Sequence, residues 1–334
     1  MPGAWRWRRA SCHADDQDMT YAIDPELLPW LDMMPPFRLV DRDTLLATRA
    51  AMAEMHDMLP VYEPVHPVDV RDTTVPGTPG VPVRIYAPQR RQGVVPGLFY
   101  IHGGGFVMGD LELTDALLLR LVDDLGIVIV SVDYRLAPEH PFPAPVEDCY
   151  AALTWVGANT AELDIDPARL GIAGTSAGGG LAAGVTLLAR DRGGPALCFQ
   201  SLNIPELDDR LDTPSMLAYE DTPLWNRPNA VFSWTSYLGT VPGGPDVSPY
   251  AAPARATDLA GLPPAFITVC QFDPLRDEGI AYAQRLMHAG VHTELHHYPG
   301  TFHGSAMVEN AAITRRMFAD EVAALRRGLR VAIG

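Results

Sequence analysis

The sequence predicts an α/β protein: a mostly parallel, doubly wound sheet carrying a helical cap. Three observations predict it. From residue 66 onward, short apolar runs of strand length alternate with segments of helical periodicity, the rhythm of a sheet with helices on both faces. Most of the runs are apolar without interruption, as strands buried on both sides are. One interval, 204–262, holds two such runs much further apart than an ordinary connection would, and a long excursion inside a compact domain marks a lid or a subdomain.

Taken in order, residues 1–18 (MPGAWRWRRASCHADDQD) carry arginines with no apolar stretch after them. They do not read as a secretory signal. The expectation is a disordered extension, or a start-site artefact with Met19 as the real start. Residues 19–65 form the N-terminal helical part of the cap. Leu39, Leu45, Leu46, Met52, Met55 and Met58 recur at helical spacing there, and Pro25, Pro29, Pro35 and Pro36 interrupt the beginning. Such a stripe reads as a packing face before it reads as a ligand pocket.

The catalytic core spans 66–203 and 263–334. Its strands are read at VPVRIYAP (81–88), VPGLFYI (95–101), IVIVSVD (127–133), RLGIAG (169–174), ALCFQSL (196–202), AFITVCQF (265–272) and TELHHY (293–298). Helices are read near 113–125, 144–158, 177–192, 274–289 and 310–328. The interval 204–262, rich in proline and with a helix expected around 228–238, reads as a cap insertion that joins 19–65 over the sheet.

The chain of 334 residues is long enough for one large domain with a smaller elaboration. It has 25 basic and 41 acidic residues, a net charge of −16, and every basic residue is arginine. That balance argues against a nucleic-acid partner, which needs clustered cations for the phosphates. Cys12, Cys149, Cys198 and Cys270 show no C-x-x-C spacing. They read mainly as small buried hydrophobes, so disulfides are not implied and a cytoplasmic location is the simpler expectation. No apolar run approaches the ~20 residues of a spanning helix, so no stable membrane insertion is expected.

Two glycine-rich segments carry the chemistry. In Gly174-Thr175-Ser176-Ala177-Gly178 the serine falls between a strand and a helix. Such a turn projects the hydroxyl outward, and glycines two positions to either side remove side chains that would clash. The pattern alone also fits a structural turn; the strand before it and the helix after it point to a nucleophile. Upstream, His102-Gly103-Gly104-Gly105-Phe106 follows FYI directly. Consecutive glycines let a backbone approach a substrate and turn its N–H groups inward, as an oxyanion hole requires. Neither G-x-G-x-x-G nor a Walker pattern is present, which weakens nucleotide binding as a reading.

A serine nucleophile needs a base, and the base needs an acid. In this topology the chain order is serine, acid, histidine. Asp273 follows the strand 265–272, where a carboxylate reaches the sheet edge. It also precedes proline, as a helix-capping aspartate does, and the two roles are compatible. Asp277 and Glu278 lie a turn further on and read as first-turn or surface charges. Of the later histidines, His288 falls on a helix and His292, His296 and His297 in or beside the last strand. Only His303 sits in a loop after that strand, so His303 is read as the base and Asp273 as the group that orients it.

Together HGGGF (102–106), DYRLAPEHPFPAPVED (133–148), GTSAGGGLA (174–182), DPLRDEG (273–279) and YPGTFHG (298–304) resemble the hormone-sensitive lipase-like, bacterial family IV type, α/β-hydrolase esterases. The resemblance covers about 81 to 305 and is most specific in YRLAPEHPFPA. It implies the α/β-hydrolase fold, Ser176, Asp273 and His303 as triad, and oxyanion donors from the Gly103–Gly105 loop, chiefly Gly104 and Gly105, and from Ala177. It implies a cap, no cofactor and no metal, and leaves homodimerisation as a hypothesis. Thr175 stands where many members have aspartate, which places the chain in a GTSAG branch and removes a charge beside the nucleophile. The implied activity is hydrolysis of small-molecule esters with short to medium acyl chains through an acyl-enzyme. Amide or carbamate hydrolysis with the same triad is the alternative. A non-catalytic receptor on this fold is disfavoured, because serine, acid and base are all present.

Overall fold

The computed structural model describes residues 21–33, 37–54, 56, 61–91 and 93–332. The expectation of a disordered extension over 1–18 lies outside these residues, as do Met55 and Met58 of the helical stripe. In chain order the elements are α1 (Leu28–Leu31), α2 (Arg42–Glu54), β1 (Val68–Val75), β2 (Val81–Pro88), β3 (Val95–Ile101), α3 (Asp115–Leu125), β4 (Val128–Val132), α4 (Ala144–Ala158), β5 (Ile165–Thr175), α5 (Ala177–Arg192), β6 (Phe199–Asn203), α6 (Pro214–Ala218), α7 (Arg227–Leu238), β7 (Ala265–Phe272), α8 (Arg276–His288), β8 (Thr293–Phe302) and α9 (Ala312–Gly328). The strands form one eight-stranded sheet in the order β1-β2-β4-β3-β5-β6-β7-β8. β2 pairs antiparallel with both its neighbours, and all other pairings are parallel.

Strand pleating sorts the core into two layers. Leu98, Tyr100 and Ile129 face one side of the sheet, where they meet Leu118, Leu121 and Val122 of α3 and Ala324 and Leu325 of α9. Phe99, Ile101, Val128 and Val130 face the other, against α4, α5 and α8. Because successive residues point to opposite faces, a strand covered on both must be apolar throughout. This is why β3 and β4 show no alternation. α5 is buried at every position from Ala177 to Ala189, as befits a helix enclosed on all sides.

The strand missed in the sequence is β1. Most of its residues are exposed, so it lacks an apolar run, and it pairs only along one edge, with β2. Leu46 is also exposed, unlike Leu39 and Leu45, so the expected stripe is narrower than its spacing suggested. Cys149 and Cys270 are buried free thiols and Cys198 a half-buried one. Among the described residues, no helix is long and apolar enough to cross a membrane.

Between β6 and β7 the chain leaves the sheet and forms α6 and α7. Asn226 caps α7 by accepting from the Asn229 backbone N–H at 3.2 Å, with proline in the first turn. Asn229 reaches back to the N-terminal segment, accepting from Leu39 N–H at 2.8 Å and donating to the Phe37 carbonyl at 3.3 Å. Arg49 of α2 donates to the carbonyls of Val107 (2.7 Å) and Ala137 (2.8 Å). These bonds tie 37–54 and α7 to one another and to the loops at the ends of β3 and β4.

Candidate active site

Four strand ends meet at one edge of the sheet. β3 leads into Gly103–Gly105, β5 into Ser176, β7 into Asp273 and β8 into His303. In open parallel sheets this C-terminal edge is where ligands bind.

Ser176 has φ +60° and ψ −124°, a strained conformation for a residue with a side chain. The surroundings hold it there. Its N–H donates to the Asn203 carbonyl at 2.8 Å, and its own carbonyl accepts from Gly180 (3.0 Å) and Glu206 (3.1 Å). A methyl group added at Gly178 would lie 2.1 Å from the Ile101 carbonyl oxygen. Only glycine lets the bend press against β3.

His303 Nε2 lies 2.9 Å from Ser176 Oγ, and His303 Nδ1 lies 2.7 Å from Asp273 Oδ2. The carboxylate at Nδ1 fixes the tautomer: Nδ1 carries the proton and Nε2 is free to accept one. Asp273 is 1 % exposed, so water does not compete for it. Its other oxygen accepts from the Leu275 N–H at 2.9 Å, a turn-type bond before α8. Local turn formation and histidine orientation thus coexist in one side chain. Asp277 and Glu278 stand in the first turn of α8, away from His303. Asp277 accepts from Ser215 N–H at 2.8 Å and fixes the start of α6. Glu278 is buried rather than at the surface, accepts from the Leu207 N–H at 2.6 Å, and is pushed up in pKa mainly by burial.

The glycine loop curls beside the serine. Gly104 and Gly105 have φ +119° and +57°, backbone that glycine adopts freely. The Gly104 carbonyl turns away to accept from Val107 and Met108 N–H, at 3.1 and 3.0 Å. Among the described residues, no protein acceptor takes the N–H groups of Gly104, Gly105 or Ala177; the last is an open donor of the α5 N-terminus. Gly103 passes so close to the bend that an added Cβ would lie 2.8 Å from the Thr175 carbonyl oxygen.

The segment 133–148 seats this loop. His102 stacks on Tyr134 with ring centroids 4.3 Å apart, and Tyr134 Oη donates to the His102 carbonyl at 3.1 Å. Burial lowers the His102 pKa, which keeps that ring neutral. Ala137 N–H donates to the Phe106 carbonyl at 3.0 Å, and Arg135 is held by both oxygens of Asp148 at 2.7 Å.

Several residues at the site were not found from the sequence. Trp225 is buried, its ring centroid 5.8 Å from that of His303, and its indole edge would lie 2.4 Å from a Cβ on Gly105. Phe106 stacks on Tyr237 of α7 at 4.1 Å. Ser233 of α7 donates to the Gly105 carbonyl at 2.7 Å and lies 3.3 Å from Glu206 Oε1. Glu206 is fully buried, and burial foremost pushes its pKa up to about 8. Under the serine bend, Asn203 donates to Glu321 Oε1 at 2.6 Å, and burial pushes Glu321 up to about 7. These single polar residues follow no local pattern. The one available signal was an acid three residues beyond the end of an apolar strand, as Glu206 is after β6. Among the described residues, no group of three or more His, Cys, Asp or Glu is arranged to hold a metal ion.

Comparison with known proteins shows the family. A family model described as alpha/beta hydrolase fold matches residues 98–307. Esterase LipI of Mycobacterium tuberculosis is 42% identical over 289 residues, which is 85% of this chain and 88% of that protein. Carboxylesterase NlhH of the same organism is 40% identical, covering 84% and 88%. Among solved structures, a bacterial heroin esterase is 50% identical, with a TM-score of 0.89 over 92% of this chain and 98% of that one.

Proposed function

The chain belongs to the hormone-sensitive lipase-like esterases of the α/β-hydrolase fold and is a carboxylic ester hydrolase; from that premise we propose that Ser176, His303 and Asp273 carry the reaction through an acyl-enzyme. The observation that supports this most is the continuous hydrogen-bonded line from Ser176 Oγ through both nitrogens of His303 to Asp273 Oδ2.

Ser176 Oγ attacks the ester carbonyl carbon while its proton passes to His303 Nε2. The resulting imidazolium is stabilised by Asp273 at Nδ1. Negative charge gathers on the former carbonyl oxygen, where Gly104, Gly105 and Ala177 offer their N–H groups. A preorganised donor of this kind is worth about 3 kcal/mol of barrier. The tetrahedral species collapses, the carbon–oxygen bond to the alcohol breaks, and the alcohol leaves with the proton from Nε2. Water, deprotonated by the same imidazole, then attacks the acyl-serine; the acid departs and Ser176 regains its proton.

Residues 19–65 and 204–262 act as the cap in this reading. Ser176 and His303 are only 6 % and 8 % exposed, and Trp225 crowds the base, which supports short to medium acyl chains over long ones. A p-nitrophenyl ester series with wild type and Ser176→Ala tests both points. Loss of turnover by a factor on the order of 10⁶ is expected for the variant, with short chains preferred by wild type. Full activity in Ser176→Ala overturns the nucleophile, and a preference for long chains overturns the substrate class.

A further inference from the structure

We propose that Glu206 works as a neutral acid that, through the Ser233 hydroxyl, holds the Gly105 carbonyl and so aims the oxyanion donors. Glu206 and Ser233 are positioning residues in this account, and the account rests on the oxyanion reading given above.

The geometry sets a proton-counting problem. Ser233 Oγ lies 2.7 Å from the Gly105 carbonyl oxygen and 3.3 Å from Glu206 Oε1. A hydroxyl has one proton and can donate it once. If Glu206 were ionised, both neighbours would be acceptors, and the charged one would draw the proton away from the carbonyl. If Glu206 is protonated, it donates to Ser233 Oγ, and Ser233 donates to Gly105. Both contacts are then satisfied in one direction, and the nearer partner of Ser233 is the carbonyl, as observed.

The surroundings favour the protonated form. Glu206 is fully buried, and its second oxygen has no donor among the described residues. The charged or titratable groups that face it are Asp273 after β7, Glu278 on α8, Tyr134 after β4 and Tyr237 on α7. None of them is a cation. An ionised carboxylate in that company is penalised by lost hydration and by the negative charge of Asp273. The pKa of about 8 agrees with a neutral group at neutral pH.

The position explains what such a group does. Fixing the Gly105 carbonyl fixes the rotation of that residue, which glycine would otherwise leave free. The N–H of Gly105 lies on the peptide shared with Gly104, so anchoring the Gly105 carbonyl holds one end of that donor peptide, while the Gly104 carbonyl, bonded by Val107 and Met108 N–H, holds the other. Ionisation of Glu206 would withdraw the Ser233 proton from the carbonyl and loosen the donor. That loss acts on the transition state, where the oxyanion forms, more than on the bound ester.

The test is the pH profile of kcat and KM for wild type, Glu206→Gln and Ser233→Ala, each checked for folding by circular dichroism. In wild type, kcat is expected to fall across an alkaline limb near pH 8. Glutamine donates to Ser233 at every pH, so Glu206→Gln is expected to lose that limb. Ser233→Ala is expected to lower the neutral-pH kcat roughly tenfold with KM within about threefold, and to abolish the limb as well. An alkaline limb unchanged in Glu206→Gln, or an unchanged kcat in Ser233→Ala, overturns the relay. Should Glu206→Gln not fold, infrared difference spectra of wild type between about pH 6 and pH 9.5 decide directly. Loss of a buried carboxylic-acid carbonyl band over that range, in step with kcat, supports the proposal; absence of such a band at neutral pH overturns it. Failure of the relay leaves Ser176 labelling by a fluorophosphonate intact, whereas failure of the nucleophile reading abolishes it.

Discussion

The floor of the site and the segment that covers it differ in what decides their residues. The floor is made at the ends of β3, β5, β7 and β8. Ser176, Asp273, His303 and the Gly103–Gly105 loop stand there in the arrangement that the proposed reaction needs: a hydroxyl 2.9 Å from one imidazole nitrogen, a carboxylate 2.7 Å from the other, and open N–H groups. The proposed cover meets this edge from the 204–262 segment, through Trp225 beside His303, Ser233 on the Gly105 carbonyl, and Tyr237 stacked on Phe106. Trp225 and Tyr237 are there by fit. A reaction tolerates one residue type at a position, whereas a packing surface accepts several. The floor is therefore written in motifs and the cover is not.

Variants sharpen this difference. The largest effect is expected at the floor. Asp273→Asn removes the carboxylate that fixes the imidazole and should lower kcat by about 10⁴, with a melting temperature near that of wild type. Asp277→Asn, four residues on, should lower kcat by less than about tenfold and act instead on stability, because its carboxylate anchors α6 through Ser215. Steady-state kinetics and thermal melts on the pair check the ranking, and the reverse order would move the triad acid to Asp277.

A smaller effect on rate is expected in the cover. Trp225→Ala removes a buried aromatic side chain and should destabilise the fold by about 3 kcal/mol. Turnover of small acetate esters should survive within about tenfold, while bulkier esters gain relative to them, because the ring stands beside Gly105 and His303. Equal losses for both ester sizes would make the ring part of the chemistry and erase the distinction between floor and cover.

The smallest expected effect is on the pH dependence of stability. Burial raises Glu321 from the usual 4.5 to about 7 in the folded chain. A carboxyl whose pKa is raised by folding contributes stability that is fully present below its unfolded value and is lost as pH rises through the folded value. The window here is about pH 4.5 to 7, and the whole span amounts to about 3 kcal/mol. Glu321→Gln should flatten that slope in urea unfolding curves. A slope unchanged by the substitution would show that Glu321 does not keep its proton.

How far the molecule was legible follows from the same division. Continuous apolar runs marked the buried strands, because a strand covered on both faces has no polar side to show. β1 escaped because its exposed residues carry no such run. Ser176 and Gly103–Gly105 were legible because a strained bend and an inward-turned backbone both demand glycine. The position of His303 at this edge was legible because it alone among the late histidines follows the last strand. Ser233, Trp225, Glu206 and Glu321 acquire their meaning only from neighbours distant in sequence. Ser233, for instance, lies 128 positions from the carbonyl it holds.

The empty side-chain position of Gly105 is occupied from above by the edge of Trp225, which would lie 2.4 Å from a Cβ placed there. The glycine loop and the segment that carries Trp225 thus share one volume although they are remote in sequence. Grafting residues 204–262 from another esterase onto this chain is consequently not an exchange of independent parts. A smaller residue at 225 leaves a gap against the glycine, and a shifted ring collides with it. Chimaeras that keep the indole in register with Gly105 are the ones in which an exchanged cover can close over this floor.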